Sequence, residues 1–177
     1  MKFDIQREVF LQPLSQVIGV VERKQTLPVL ANFLISSRGK EVTVTGTDME
    51  VELIAAAEAD AKSDGEITLP ARKLVDIVRA LPDGVTIGVS VDGDKATVSS
   101  GRSRFTLATL PATEFPATDQ VETLETVKIQ ELELKRLLDK TSFAMANQDV
   151  RYYLNGLLFE FKDGRLRTVA TDGHRLA

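Results

Sequence analysis

A gap-free internal repeat constrains this chain more than any other feature. Moved along by 124 positions, residues 3–53 fall on 127–177, so that Ile5 meets Ile129 and Thr47-Asp48 meets Thr171-Asp172. Gln6, Leu14 and Leu30 meet Gln130, Leu138 and Leu154. Phe33-Leu34-Ile35 meets Leu157-Leu158-Phe159, and the turn Arg38-Gly39-Lys40 meets Lys162-Asp163-Gly164. Identities are few. What repeats is the placing of apolar residues and turns, the mark of duplicated structural units.

Within the first copy, Lys2–Gln6 alternates as a strand does. Phe10, Leu14, Val17, Ile18 and Val21 then share one helical face. Pro13, tolerated in a first turn, places the start of that helix near Leu11. Residues 22–28 read as a charged loop, and 29–37, 41–47 and 49–59 as strands. The grammar then restarts: a strand at 66–69, and a helix opened by Pro70-Ala71 with Leu74, Ile77, Val78 and Leu81 in one stripe. Strands at 85–91, 95–100 and 102–110 follow. Residues 1–125 thus form one complete unit, a strand–helix–three-strand motif made twice. Its tail from about 111 has the proline and acid content of a linker.

In the second copy the pattern predicts a strand at 127–130, a helix at 132–145, a loop at 147–151 and strands at 152–161, 165–171 and 173–177. Residues 126–177 are therefore expected to be the first half of a second unit, and the chain a fragment of a longer protein. A half-unit leaves a helix face and a sheet edge uncovered. The fold class is α+β, antiparallel sheets forming one surface of a curved array and helices the other.

Composition removes several functions. There is no cysteine among the 177 residues, which excludes disulfides and thiolate zinc sites. With one histidine, a metal site would have to be built from carboxylates. The start lacks a targeting core and no run is long enough for a membrane span, so a cytoplasmic protein is expected. Net charge is −4, against tight bulk attraction to nucleic acid. It divides unevenly: residues 1–126 carry 13 basic and 19 acidic side chains, and 127–177 carry 9 and 7.

Three clusters could carry function. The repeat sets Lys24 opposite Gln148 and Arg23 opposite Asn147, each just past its unit's first helix, with Arg151, Tyr152 and Tyr153 following. Long polar donors beside aromatics suit backbone contact and stacking, though a solvated loop has the same composition. Gly101-Arg102-Ser103-Arg104-Phe105-Thr106-Leu107 is a basic strand, either an edge protected by its charges or one built to pair with an acidic partner. Thr171-Asp172-Gly173-His174-Arg175-Leu176 holds the histidine. A hydrolase would use His174 as a base oriented by Asp172, but a nucleophile elbow is missing. A metal-dependent nuclease would draw on Asp48, Asp149, Asp172 and His174. A structural turn at the rim of an apolar groove accounts for the same residues.

Gly-Arg-Ser-Arg-Phe (101–105), Gln-Asp-Val-Arg-Tyr-Tyr-Leu-Asn-Gly (148–156) and Ala-Thr-Asp-Gly-His-Arg-Leu-Ala (170–177) closely resemble the bacterial DNA polymerase III beta subunit family of sliding clamps. Thr-Leu-Pro (26–28), Thr-Gly-Thr-Asp (45–48) and Pro-Ala-Arg-Lys (70–73) fit as well. The resemblance covers the whole chain, as a first clamp domain and the opening of a second. It implies the DNA-clamp fold and a head-to-tail homodimeric ring around duplex DNA, with helices lining the hole. No catalysis, metal or cofactor is implied. The implied partners are double-stranded DNA, and a polymerase, clamp loader and repair proteins that dock through short linear motifs. Carried over by position, Lys24, Gln148, Arg151, Tyr152 and Tyr153 resemble the DNA contacts. Lys73, Arg102, Arg104, Phe105 and Leu107 resemble one side of the ring-closing interface. Leu154, Thr171, Gly173, His174, Arg175 and Leu176 resemble the near wall of the partner-peptide groove. A metal-dependent nuclease and a DNA-independent peptide-binding adaptor are the competing readings.

Overall fold

The structure, a computed structural model, describes residues 1–21, 27–116 and 126–177. It divides into unit 1, Met1–Gln120, and unit 2, Val121–Ala177. In unit 1 the elements run β1 (Lys2–Gln6), α1 (Arg7–Val17), β2 (Asn32–Arg38), β3 (Glu41–Thr47), β4 (Glu52–Glu58) and β5 (Asp60–Ser63). They continue with β6 (Gly65–Pro70), α2 (Ala71–Ala80), β7 (Thr86–Asp92), β8 (Lys95–Ser100) and β9 (Ser103–Ala108). Two antiparallel sheets result, β5-β1-β7-β8-β9 and β4-β3-β2-β6. The two halves exchange their leading strands: β1 pairs with β7 of the second half, and β6 with β2 of the first. Neither half can close alone, so the unit folds around one shared core.

That core lies between the sheets and the two helices. Phe3, Phe10, Leu14, Phe33, Ile35, Leu69, Leu74 and Ile87 are fully buried in it. Phe10, Pro13, Leu14 and Val17 are the buried face of α1, the i, i+3, i+4, i+7 stripe of an amphipathic helix. Contrary to the expected start near Leu11, α1 begins at Arg7 and holds Pro13 in its interior. The pyrrolidine ring forgoes one helix hydrogen bond, and burial of Pro13 with the face around it offsets that loss. The C-terminal end of α2 is capped by an arginine of α1, and an arginine of α2 reaches the carbonyl just past the 3-10 turn Ile18–Val20 that follows α1. Arg7 donates to the carbonyls of Val78 (3.0 Å) and Arg79 (3.1 Å), and Arg72 donates to that of Val21 (2.7 Å). Cations there complement the helix dipole and satisfy carbonyls that no helical N–H reaches.

Two further expectations change in unit 1. The single strand expected at 49–59 is β4 followed, past Ala59, by the separate strand β5, which adds to β1. The start of the expected linker belongs to the unit: residues 112–114 form a 3-10 turn, and Phe115 is buried against Val29 and Leu30.

Unit 2 repeats the opening of unit 1 at the same displacement of 124. Its helix α3 is Glu131–Thr141, where α1 is Arg7–Val17. The 3-10 turns Ile18–Val20 and Pro28–Ala31 recur as Ser142–Ala144 and Tyr152–Asn155. Strands β10 (Leu158–Lys162) and β11 (Arg165–Val169) pair Leu158 with Val169, as β2 and β3 pair Leu34 with Thr45. Several sequence expectations therefore shift. The helix ends at Thr141 rather than 145, 152–155 is a 3-10 turn rather than a strand, and 173–177 contributes only the bridge Thr171–Leu176.

Residues 127–130 form no strand. The counterpart β1 is held by β7 and β5, and the described residues of unit 2 offer no such neighbours. Val127 and Ile129, which match the buried Phe3 and Ile5, are 50% and 40% exposed. With Phe161 and Leu166 they line an open cavity of about 390 Å³.

Candidate nucleic-acid interface and groove

The loop that follows α3 and its 3-10 turn is fixed by its own side chains. Gln148 has φ 56°, a left-handed conformation unusual without glycine. Asp149 accepts from the Arg151 backbone N–H (2.8 Å), from Nε (3.0 Å) and from Nη2 (2.8 Å), a two-pronged guanidinium–carboxylate pair. Asn155 closes the loop from the other side. Its Oδ1 accepts from the Asp149 N–H and its Nδ2 donates to the Asp149 carbonyl, both at 3.0 Å. The Arg151 guanidinium holds the Asp149 carboxyl well below the usual range, at about 2. Val150 (96%), Tyr152 (82%) and Tyr153 (68%) are left projecting into solvent. The two tyrosine rings meet edge to face at 6.0 Å between centroids.

The turn at 171–175 is a self-contained network. Thr171 Oγ1 donates to the Arg175 carbonyl (2.7 Å) and accepts from the Gly173 N–H (3.0 Å). Asp172 Oδ1 accepts from the backbone N–H groups of His174 and Arg175, both at 2.9 Å. These bonds, the one from His174 foremost, lower the Asp172 pKa. Gly173 has φ 88°, which glycine adopts without strain. Arg175 pairs through Nε with Asp172 Oδ2 (2.9 Å) and lies 5.9 Å over the exposed ring of Phe143. Leu176 is exposed, and Leu154 and Thr171 are half-buried.

Unit 1 holds the same turn bond for bond. Thr47 Oγ1 donates to the Val51 carbonyl and accepts from Met49 N–H, while Asp48 Oδ1 accepts from Glu50 and Val51. Met49 takes the place of Gly173 at φ 81°. Both carboxylates that the nuclease reading needs in unit 2 are thus committed, Asp149 to Arg151 and Asp172 to its turn. Asp48 is committed in the same way. Among the described residues no group of three or more histidine and acidic side chains is placed to hold a metal.

Residues 1–119 match the family model of the DNA polymerase III beta subunit N-terminal domain, and 128–177 that of its central domain. The chain belongs to the DNA polymerase III beta subunit family. The Beta sliding clamp of Pseudomonas aeruginosa is 56% identical over 178 residues, an alignment that takes in 100% of this chain and 48% of the relative. The Beta sliding clamp of Escherichia coli K12 is 48% identical, with 100% and 49% covered. The crystal structure of the Pseudomonas aeruginosa DNA polymerase III subunit beta superposes with a TM-score of 0.95 at 55% identity, covering 99% of this chain and 48% of that one. The chain spans about half the length of the curated relatives it matches.

In this beta-subunit chain the structure brings together two clusters that the sequence kept apart. A Cβ on Gly173 would lie 3.5 Å from Arg151 Nη1, so the guanidinium that anchors the 148–155 loop also packs against the 171–175 turn. Phe143 and Asn155 are two site residues that the sequence by itself does not single out. The repeat gave no signal for Phe143, whose counterpart is Gly19. Asn155 shows its part only once the loop closes on it. In unit 1, Arg102 and Arg104 are exposed at and beside β9, Lys73 is exposed on α2, Phe105 is half-buried and Leu107 buried. Lys24 and Arg23 lie outside the described residues, as do most of the 22–28 loop and residues 117–125 of the expected linker.

Proposed function

We propose that this chain supplies the first domain and the opening of the second domain of a ring-shaped DNA sliding clamp, a non-catalytic processivity factor. The observation that carries the reading is the recurrence of helix, 3-10 turn, loop and strand register at one displacement through both units, in a member of the beta-subunit family. Units of one design present equivalent loops, and a closed ring of such units retains duplex DNA by topology. Weak, sequence-blind phosphate contacts then suffice, and an acidic protein can make them.

On this reading Gln148, Tyr152 and Tyr153 are the DNA-facing groups of unit 2 and Lys24 that of unit 1. Arg151 holds their loop in shape through Asp149 while lying beside the groove. Leu154, Thr171, Gly173, His174, Arg175 and Leu176 form one wall of a groove for short linear motifs of a polymerase, a clamp loader or repair proteins. The exposed Leu176 and the Phe143–Arg175 stack give such a motif an apolar floor with a cationic rim. Lys73, Arg102, Arg104, Phe105 and Leu107 form the basic side of ring closure in the homodimer. The cytoplasm is the compartment that suits this work, and among the described residues no helix is long and apolar enough to cross a membrane.

The deciding experiment places a protein of the relatives' full length, carrying this sequence, on nicked circular DNA with a clamp loader. Retention on circles, release on linearisation, and faster loss for the Lys24→Ala/Gln148→Ala variant are expected. Retention that is indifferent to DNA topology would overturn the proposal.

A further inference from the structure

Of the three asparagines in the chain, Asn32, Asn147 and Asn155, only the last precedes a glycine. Nothing in the fold asks for glycine at that place. Gly156 has φ −133° and ψ 177°, extended backbone open to any residue, and a Cβ added to it would meet nothing within 4 Å. At the matching place in unit 1 the residues are Ala31 and Asn32, and the 3-10 turn there is made without glycine. Gly156 differs in its hydrogen bonding too. The residues that cap the other four 3-10 turns among the described residues, Val21, Asn32, Phe115 and Met145, each donate their N–H back into the turn. Gly156 makes no such bond, which leaves its nitrogen uncommitted to the turn it caps.

We infer that Asn155 is a site of spontaneous modification, its side-chain amide exchanged for a carboxylate through the Gly156 nitrogen, at a rate gated by the loop that the side chain holds. Asparagine is among the thermally labile residues, and Asn155 is exposed to water. The Gly156 nitrogen gives up its proton to hydroxide or water and attacks Asn155 Cγ. A C–N bond forms, the Cγ–Nδ2 bond breaks, and ammonia leaves with a proton returned from water. Water then opens the cyclic imide at one of its two carbonyls. Cleavage at Cγ gives aspartate. Cleavage at the backbone carbonyl gives isoaspartate, with the chain rerouted through the side chain. The sum is one water consumed and one ammonia released, with no change of oxidation state. A side chain on the following residue obstructs the attack, and glycine has none. The folded loop opposes the first step. Asn155 Oδ1 accepts from the Asp149 N–H and Nδ2 donates to the Asp149 carbonyl, both at 3.0 Å, while the Arg151 guanidinium holds Asp149 in place. Turning Cγ toward the Gly156 nitrogen gives up these bonds, so the rate follows the open fraction of the loop. After conversion the side chain has no N–H to offer, the Asp149 carbonyl loses its donor, and a second carboxylate stands beside Asp149. On the function proposed above, that charge enters a loop facing DNA phosphate, but the conversion itself does not depend on that reading.

Trypsin, cutting after Arg151 and Lys162, releases Tyr152–Lys162 as one peptide, whose asparaginyl, aspartyl and isoaspartyl forms chromatography and mass spectrometry separate. In the full chain held in mildly alkaline buffer, this peptide is expected to accumulate both acidic forms, while the peptides holding Asn32 and Asn147 keep their amides. The synthetic Tyr152–Lys162 peptide, which lacks Asp149, is expected to convert about tenfold faster, the effect of the hydrogen bonds it does without. Arg151→Gln, which loosens Asp149, is expected to bring the chain toward the rate of the free peptide. Gly156→Ala, which the extended backbone and the open space accept, is expected to lose most of the conversion at unchanged circular dichroism. Equal rates in chain and peptide would overturn the inference, as would a Gly156→Ala chain that converts like its parent. So would an amide that stays intact in the chain after the free peptide has fully converted.

Discussion

Met49→Gly should make the protein more stable, although it removes a side chain. Met49 holds φ 81° in the turn whose counterpart in unit 2 uses Gly173 at φ 88°. A non-glycine residue in that region costs roughly 1–2 kcal/mol. Glycine gives back about 0.5–1 kcal/mol through the freedom it adds to the unfolded chain. Met49 is 62% exposed, so little burial is lost, and the four hydrogen bonds of the turn involve backbone groups and the side chains of Thr47 and Asp48, which stay. The net gain is about 0.5–1 kcal/mol, a rise of roughly 2–4 °C in the melting temperature of a unit this size. Urea unfolding followed by circular dichroism reads it as a higher midpoint at constant slope. Met49→Ala, which keeps Cβ, should show none of the gain. Gly173→Ala should lose roughly 1 kcal/mol in unit 2, because the space beside Gly173 allows a Cβ at ordinary contact distance and leaves only backbone strain. A Met49→Gly chain that melts lower, or an alanine variant that matches it, would refute strain as the cause.

Three other outcomes follow from the same geometry. Leu14→Ala, at a fully buried site, should cost about 2–5 kcal/mol by denaturant unfolding, while Leu138→Ala at the matching half-buried site should cost clearly less. Arg7→Ala should destabilise unit 1 by roughly 1–3 kcal/mol, because it uncaps the α2 carbonyls that Arg7 reaches at 3.0 and 3.1 Å; an effect within error would show water replacing the cap. The Asp149 carboxyl sits at about 2 against an ordinary 3.8. A lowered folded-state pKa means that its pairing contributes stability fully above 3.8 and loses it as pH falls toward 2. Carboxyl-detected NMR should find that midpoint, and Arg151→Gln should move it back up.

The sequence alone determined the repeat, the alternation of strands and helices, and the residues at each turn. These features are local: a 3.6-residue stripe, a period of two or a glycine at a turn is written in neighbouring positions. The displacement of 124 holds to the residue in the structure, Arg7–Val17 answering Glu131–Thr141, although the sequence pattern alone starts the first helix near Leu11 and runs the second over 132–145. The sequence also holds the motifs by which the family could be named, including the 148–156 and 170–177 stretches of the candidate site. The extra strand β5, the interior Pro13, the Arg7 and Arg72 caps and the Arg151 contact beside Gly173 were decided by tertiary structure. Each depends on what a distant segment brings alongside. The clearest case is the pair Lys2–Gln6 and 127–130. Both carry the same apolar alternation, yet only the first is a strand, because β7 and β5 stand on either side of it to take its hydrogen bonds and bury Phe3 and Ile5. Periodicity states which face a segment would bury, and the neighbour that accepts its backbone decides whether the segment becomes a strand at all.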